Sequence, residues 1–188
     1  LRLSVGGYLC GLVFGDCHHV PDVQVVRPLQ AQPPRQVVAE LFVRMKFHIQ
    51  KLTLDDLSLL QYVGRATYEP YYPHIWKPGG VEWFIEKCFG TEVLKNELAD
   101  PNIEFLLATN SGGQIVGLLK LILLKSLPDG SIANALYLEK IYLMPDYFGK
   151  GVGRELMSWV ANRAMQLGRE AVWLLVMKTG PVKAYERA

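Results

Sequence analysis

Three glycines within six residues, at Phe148-Gly-Lys-Gly-Val-Gly153, constrain this chain more than any other stretch. The segment before them, Ala135 to Met144, is apolar and reads as a long strand stopped by Pro145. The segment after them, Arg154 to Gln166, spaces Leu156, Val160, Ala164 and Leu167 by three and four, the period of an amphipathic helix. A glycine-rich turn between a strand and a helix points several backbone N–H groups at one place, and the helix start adds the positive end of its dipole. Gly149, Gly151 and Gly153 remove the Cβ atoms that would hold a ligand off the backbone, and Lys150 and Arg154 add positive charge. The arrangement suits a phosphate or pyrophosphate. Two nucleotide fingerprints fail on spacing. G-x-x-x-x-G-K-[ST] would need Ser or Thr where Gly151 stands and Gly where Met144 stands. G-x-G-x-x-G does not match Gly149-x-Gly151-x-Gly153. On these residues alone, a tight turn without a ligand is the competing reading.

The rest of the pattern is mixed α/β. Lys46 to Leu52 alternates and predicts a first strand. Thr53-Leu-Asp-Asp then opens a helix, with acids in the first turn, and Leu57, Leu60, Val63 and Tyr68 continue it. Glu69 to Gly80 carries three prolines and two glycines and predicts a loop. Val81 to Phe89 and Glu92 to Leu98 predict two short helices. Ile103 to Thr109 and Gln114 to Leu124 predict a hairpin about Asn110-Ser-Gly-Gly113. Gly168 predicts the stop of the long helix. Ala171 to Met177 is apolar on both sides, as in the middle of a sheet, and Pro181 to Arg187 begins a last helix. Helices on both faces of a mixed sheet would bury such apolar strands, so the expected class is α/β, or α+β in some schemes.

Residues 1–44 differ from the remainder. They contain no Lys, four glycines break the apolar stretch from Val5 to Phe14 apart or border it, and Pro21, Pro28, Pro33 and Pro34 follow without a sustained period. The first methionine is Met45. A secretory signal is disfavoured by the broken apolar stretch and the lack of a small-x-small cleavage site. The expectation is that residues 1–44 are an extension or upstream sequence outside the functional domain, which spans 45–188. Cys17, His18 and His19 lack a second ligand pair at workable spacing, so no metal is expected.

Composition narrows the function classes. Lys and Arg number 20 against 18 Asp and Glu, a net charge of +2, without the basic excess of a nucleic-acid binder. Three cysteines without a CxxC pair make neither a disulfide framework nor a zinc site. No uninterrupted apolar run approaches the roughly 18 residues of a membrane span. A cytoplasmic protein with no nucleic-acid or membrane partner is expected.

The stretch Leu136-Tyr-Leu-Glu-Lys-Ile-Tyr-Leu-Met-Pro-Asp-Tyr-Phe-Gly-Lys-Gly-Val-Gly-Arg-Glu-Leu-Met157 resembles the core of the GNAT superfamily of N-acetyltransferases: an apolar strand ending near a proline, then [Q/R]-x-x-G-x-[G/A] opening a helix. Lys183-Ala-Tyr-Glu-Arg-Ala188 is similar to that family's closing aromatic motif. The resemblance covers about Met45 to Ala188 and implies a GNAT-like, mostly antiparallel mixed sheet, with the family's C-terminal strands missing from this chain. It implies acetyl-CoA as cosubstrate, with its pyrophosphate on the loop Phe148, Gly149, Lys150, Gly151, Val152, Gly153 and Arg154, and its pantetheine arm along Ile141, Tyr142 and Leu143. Two positions depart from the pattern. Phe148 stands where Gln or Arg is usual, and Gly180 where many relatives have Asn.

Acetyl transfer to an amine needs a base for the nitrogen's proton and a proton donor for the departing thiolate. The resemblance implies Tyr185 as the donor. Glu139, a carboxylate inside an apolar strand, is the candidate base. Tyr142 and His74 are further candidates. The acceptor pocket is expected from the loop with Tyr68, Glu69, Tyr71, Tyr72, His74 and Trp76, and from Glu82 and Trp83 beyond it. Aromatic faces and acids together suit a cationic amine, and a packed aromatic cluster steadying the loop is the competing reading. Phe89 to Pro101 resembles the bacterial polyamine-acetylating branch. The expected activity is acetyl transfer to a small amine, polyamine or peptide amine, with a homodimer as the candidate assembly. The alternative is an acyl-CoA-binding regulatory module without turnover.

Overall fold

The computed structural model describes residues 24–26 and 47–175. The final predicted helix and Tyr185 lie outside the described residues. Among the described residues there are six strands: β1 Gln24–Val26, β2 Phe47–Lys51, β3 Ile103–Asn110, β4 Ile115–Ile122, β5 Ala135–Leu143 and β6 Ala171–Leu174. Four helices accompany them: α1 Leu57–Tyr68, α2 Gly80–Phe89, α3 Thr91–Ala99 and α4 Val152–Gln166. The strand order is β1-β6-β5-β4-β3-β2. β6 runs parallel to β5, from Ala135↔Ala171 to Leu138↔Leu174, and antiparallel to β1. β2 is antiparallel to β3, from Phe47↔Asn110 to Lys51↔Leu106. The class is α/β with a mixed sheet, as the pattern predicts, and mostly antiparallel, as the resemblance implies. β6 lies between two strands, which explains why all four of its side chains are apolar and buried.

The described residues pack as two units, with β5 running through both. The first comprises 47–121 and 140–150. Its core is built from Leu60 and Val63 of α1, Phe84 of α2, Leu94 of α3, Phe105 of β3 and Val116 and Leu118 of β4, each 1 % exposed or less. The sequence sets these elements locally. The Asp56 carboxylate accepts hydrogen bonds from the Thr53 N–H (2.9 Å) and hydroxyl (3.0 Å), closing the predicted start of the first helix. The helix begins with a single 3-10 turn, Leu54–Asp56, before α1 proper. Gly64 lets α2 approach α1: a Cβ there would stand 2.4 Å from the Phe89 ring. Gln61 Nε2 donates to the Phe89 carbonyl (3.0 Å) and the Thr91 hydroxyl (3.1 Å), fastening the joint between α2 and α3. A buried ion pair joins Lys120 of β4 to Glu97 of α3 at 2.5 Å.

The second unit comprises 24–26, 122–139 and 151–175. Val152, Leu156, Met157, Val160 and Ala164 form the buried stripe of α4. Gly168 ends that helix as predicted, at φ +65°, with Arg169 N–H returning to the Ala164 carbonyl (2.9 Å) and Gly168 N–H to that of Met165 (3.0 Å). Arg169 pins the connection between β4 and β5, donating to the Leu123 carbonyl (2.7 Å) and to Asn134 Oδ1 (2.8 Å). Tyr137 and Trp173 stack at 4.0 Å under the Lys125 ammonium, which sits 4.4 Å from the Tyr137 ring.

Two elements differ from the pattern. The long helix starts at Val152 rather than Arg154, so Gly153 and Arg154 belong to its first turn. A glycine reads as a breaker because it gives up the most backbone freedom, yet that costs only about 1 kcal/mol and a single glycine does not stop a helix. The segment set apart at 1–44 supplies β1, whose three residues between Pro21 and Pro28 are too few to show a period.

Candidate functional site

The glycine segment follows β5 through a 3-10 turn at Pro145–Tyr147, in which Phe148 N–H donates to the Pro145 carbonyl (2.9 Å). The Tyr147 hydroxyl accepts from Asn110 Nδ2 (2.9 Å). Asn110 itself organises the tip of the β3–β4 hairpin, its Oδ1 accepting from the N–H groups of Gly112 and Gln114, each at 2.9 Å. The approach to the loop is therefore braced on that hairpin tip.

Gly149 and Gly151 adopt φ of +70° and +81°. A Cβ on either would meet no protein atom within 4 Å, so the left-handed conformation, not crowding, calls for glycine. Gly151 caps α4, and its carbonyl accepts from the N–H groups of Arg154 (3.0 Å) and Glu155 (3.2 Å). The earlier N–H groups of that turn have no partner within the helix and lie at the positive end of its dipole. Lys150 and Arg154 are exposed beside them. These residues fit a pyrophosphate.

The second half of the site is aromatic. Tyr68, at the end of α1, is buried and stacks on Phe84 at 4.0 Å and on Tyr72 at 4.6 Å, and it meets Tyr142 edge-on at 5.8 Å. The Trp76 indole N–H donates to the Tyr68 hydroxyl (2.9 Å). Trp76 also leans on Phe84 (5.6 Å) and on the half-exposed Trp83 (6.0 Å). Tyr72 lies 6.4 Å from Tyr142, and Tyr71 meets Phe148 edge-on at 5.1 Å. Of the predicted acceptor residues, Tyr72 and Trp76 thus gather with Tyr142 about Tyr68. His74 is exposed on the 3-10 turn Pro73–Ile75. Tyr68 and Phe84 are buried in this cluster, while Tyr71, Tyr72 and Trp76 are half-buried.

Alternation along β5 puts Ile141 and Leu143 on the face of Glu139, and Tyr142 on that of Lys140. Ile141, Tyr142, Leu143 and Glu139 are half-buried, while Lys140 is 4 % exposed. Sequence reading passed over Lys140 and Phe84. The alternation that puts Lys140 with buried Leu136 and Leu138 was the available signal for the first, and nothing local marks Phe84 as more than core.

Burial raises the pKa of Tyr68 above its ordinary value, with the Trp76 hydrogen bond acting against it. Burial likewise raises Tyr72. Tyr142 is pushed well above the ordinary value by burial, although Lys140 opposes the shift. All three phenols therefore keep their protons at neutral pH. A folded-state pKa above the unfolded one stabilises the fold below the unfolded value, and that contribution is lost as pH rises through the folded one. Stability from these groups should be flat between neutral pH and about 9, then fall above the tyrosine value near 10. Thermal melts across that range should show the fall blunted in Tyr142→Phe; an equal fall in both proteins would refute this origin.

The Acetyltransferase (GNAT) family model matches residues 63–187. The chain belongs to the GNAT acetyltransferase family. A spermidine N(1)-acetyltransferase of Thermoplasma acidophilum is 28 % identical over 116 residues, covering 60 % of this chain and 67 % of that protein. The crystal structure of the PaiA N-acetyltransferase from the same organism, in complex with coenzyme A, superposes with a TM-score of 0.59 at 26 % identity, covering 74 % of this chain and 84 % of that one. An acetyltransferase from Clostridium acetobutylicum, solved with acetyl-CoA, shares the fold at a TM-score of 0.55 and 17 % identity, covering 75 % and 87 %. As a GNAT acetyltransferase the chain is an acyltransferase. Among the described residues, no helix is long and apolar enough to cross a membrane, and no group of three or more His, Cys, Asp or Glu could hold a metal ion.

Proposed function

We propose that this GNAT acetyltransferase transfers the acetyl group of acetyl-CoA to a small primary amine, with a polyamine as the favoured acceptor. The observation that carries the reading is the loop itself. Two glycines in the left-handed conformation turn the chain into a helix start whose first N–H groups have no partner within the helix, with Lys150 and Arg154 exposed beside them. The name of the Thermoplasma relative, a spermidine acetyltransferase, supports the acceptor class.

In this reading Phe148 to Arg154 bind the pyrophosphate and the Ile141–Leu143 backbone holds the pantetheine arm. Acetyl-CoA supplies an activated thioester. The amine nitrogen forms a bond to the thioester carbon, and the carbon–sulfur bond breaks. Glu139 takes the nitrogen's proton, and Tyr185 gives its phenolic proton to the leaving sulfur. Tyr72 and Trp76 offer ring faces to a second cationic nitrogen of the acceptor, with His74 at the exposed rim. The acetyltransferase domain is read as 45–188, and the family match falls inside it.

The test separates turnover from mere cofactor binding. Tyr185→Phe should lower kcat for spermidine acetylation about a hundredfold. Its affinity for coenzyme A, measured by calorimetry, should stay within about twofold of the parent's, because the phosphate-binding amides are untouched. A parent protein that takes up no coenzyme A overturns the reading. A parent that binds it yet releases no thiol across an amine panel leaves only the regulatory module.

A further inference from the structure

We propose that Phe148 and Tyr71 form an aromatic clasp that couples the phosphate-binding loop to the acceptor loop at 69–79, so that filling the first orders the second; this rests on the acetyl-transfer reading above. Phe148 opens the loop, but its side chain has no group with which to bind a phosphate. Its ring is 49 % exposed and meets the Tyr71 ring edge-on, at 5.1 Å and 69°. An apolar ring half in water on an anion-binding loop is explained by the partner it touches.

Tyr71 is well placed to pass on that contact. Its N–H (3.1 Å) and that of Tyr72 (3.3 Å) both donate to the Tyr68 carbonyl, so residues 68–72 form one tight turn. The same turn reaches the cofactor strand a second time, through Tyr68 and Tyr72 on Tyr142. Residues 68–72 therefore grip the cofactor-bearing segment at the strand and again at the loop. Beyond the turn, Trp76 returns to Tyr68 through its indole N–H. A shift of Phe148 on ligand binding must move Tyr71 or break the contact, and Tyr71 carries Tyr72 with it. Phe148 and Tyr71 are positioning residues: they act through the loop and take no part in the chemistry.

Hydrogen exchange with coenzyme A as the probe tests the clasp without an amine. In the parent protein, saturating coenzyme A should slow exchange of the 69–79 amides about fivefold, the factor that one edge-to-face pair supports. Phe148→Leu and Tyr71→Leu should each abolish that slowing at saturating coenzyme A, and calorimetry should find Tyr71→Leu weaker in coenzyme A affinity by no more than about the same fivefold, because the coupling is reciprocal and the loop amides are intact. Phe148→Tyr should restore it, and the double variant should be no worse than either single one. Slowing that survives in Phe148→Leu, or that the parent never shows despite binding coenzyme A, overturns the clasp and leaves the transfer reading standing. Failure of the parent to bind coenzyme A removes both.

Discussion

Replacing Lys120 with Met is expected to lower unfolding stability by about 3 kcal/mol in urea titrations, the lower end of the range for breaking a buried ion pair. The ammonium of Lys120 is buried, 2.5 Å from Glu97 Oε1 and 5.5 Å from the centre of the Phe105 ring. Glu97 Oε2 is buried without a hydrogen-bond partner, so loss of Lys120 strands a carboxylate already short of donors. Glu97 keeps 23 % of its side chain exposed, and water reaching it should hold the loss to the lower end. Methionine keeps the length of the apolar stem, which separates the charge from the packing. Adding Glu97→Leu should then recover most of the stability, because both charges are gone and the volume is filled. A double variant as unstable as the single one would show that the loss came from packing.

Gly117→Ala should cost about 3 kcal/mol, near the top of the range for overpacking. Gly117 lies in β4, and a Cβ there would stand 2.3 Å from the Tyr142 carbonyl oxygen and 3.0 Å from a methyl of Leu143. The oxygen belongs to backbone and cannot rotate away. The strands must part, near where Met144 N–H donates to the Val116 carbonyl (2.8 Å). Tyr142 and Leu143 are also the proposed pantetheine contacts, so coenzyme A affinity should fall along with stability. A folded Gly117→Ala protein with parent-like melting would refute the close approach.

Much of this was legible in the residues. The glycine loop, the Thr53–Asp56 start, the Gly168 stop, the hairpin about Asn110 and the interior placement of β6 all follow from signals a few residues wide. The loop's boundary moved because a glycine in a first helical turn looks like one in a turn. The proposed acceptor residues were readable as a group but not as an arrangement: nothing near Trp76 tells that its indole turns back to Tyr68, or that His74 stands out in water.

Local order came from the sequence by itself: where the chain turns, where each helix starts and stops, and which strands have two apolar sides. These depend on backbone conformation and on periods of two and 3.6 residues, so each is encoded within one or two turns of chain. The tertiary structure decided which aromatic rings meet, that Lys120 finds Glu97 across 23 residues, and that β1 lies on β6. Those contacts depend on strand register and on close approaches such as Gly64 on Phe89 and Gly117 on Tyr142, which exist only once distant segments pack to contact distance.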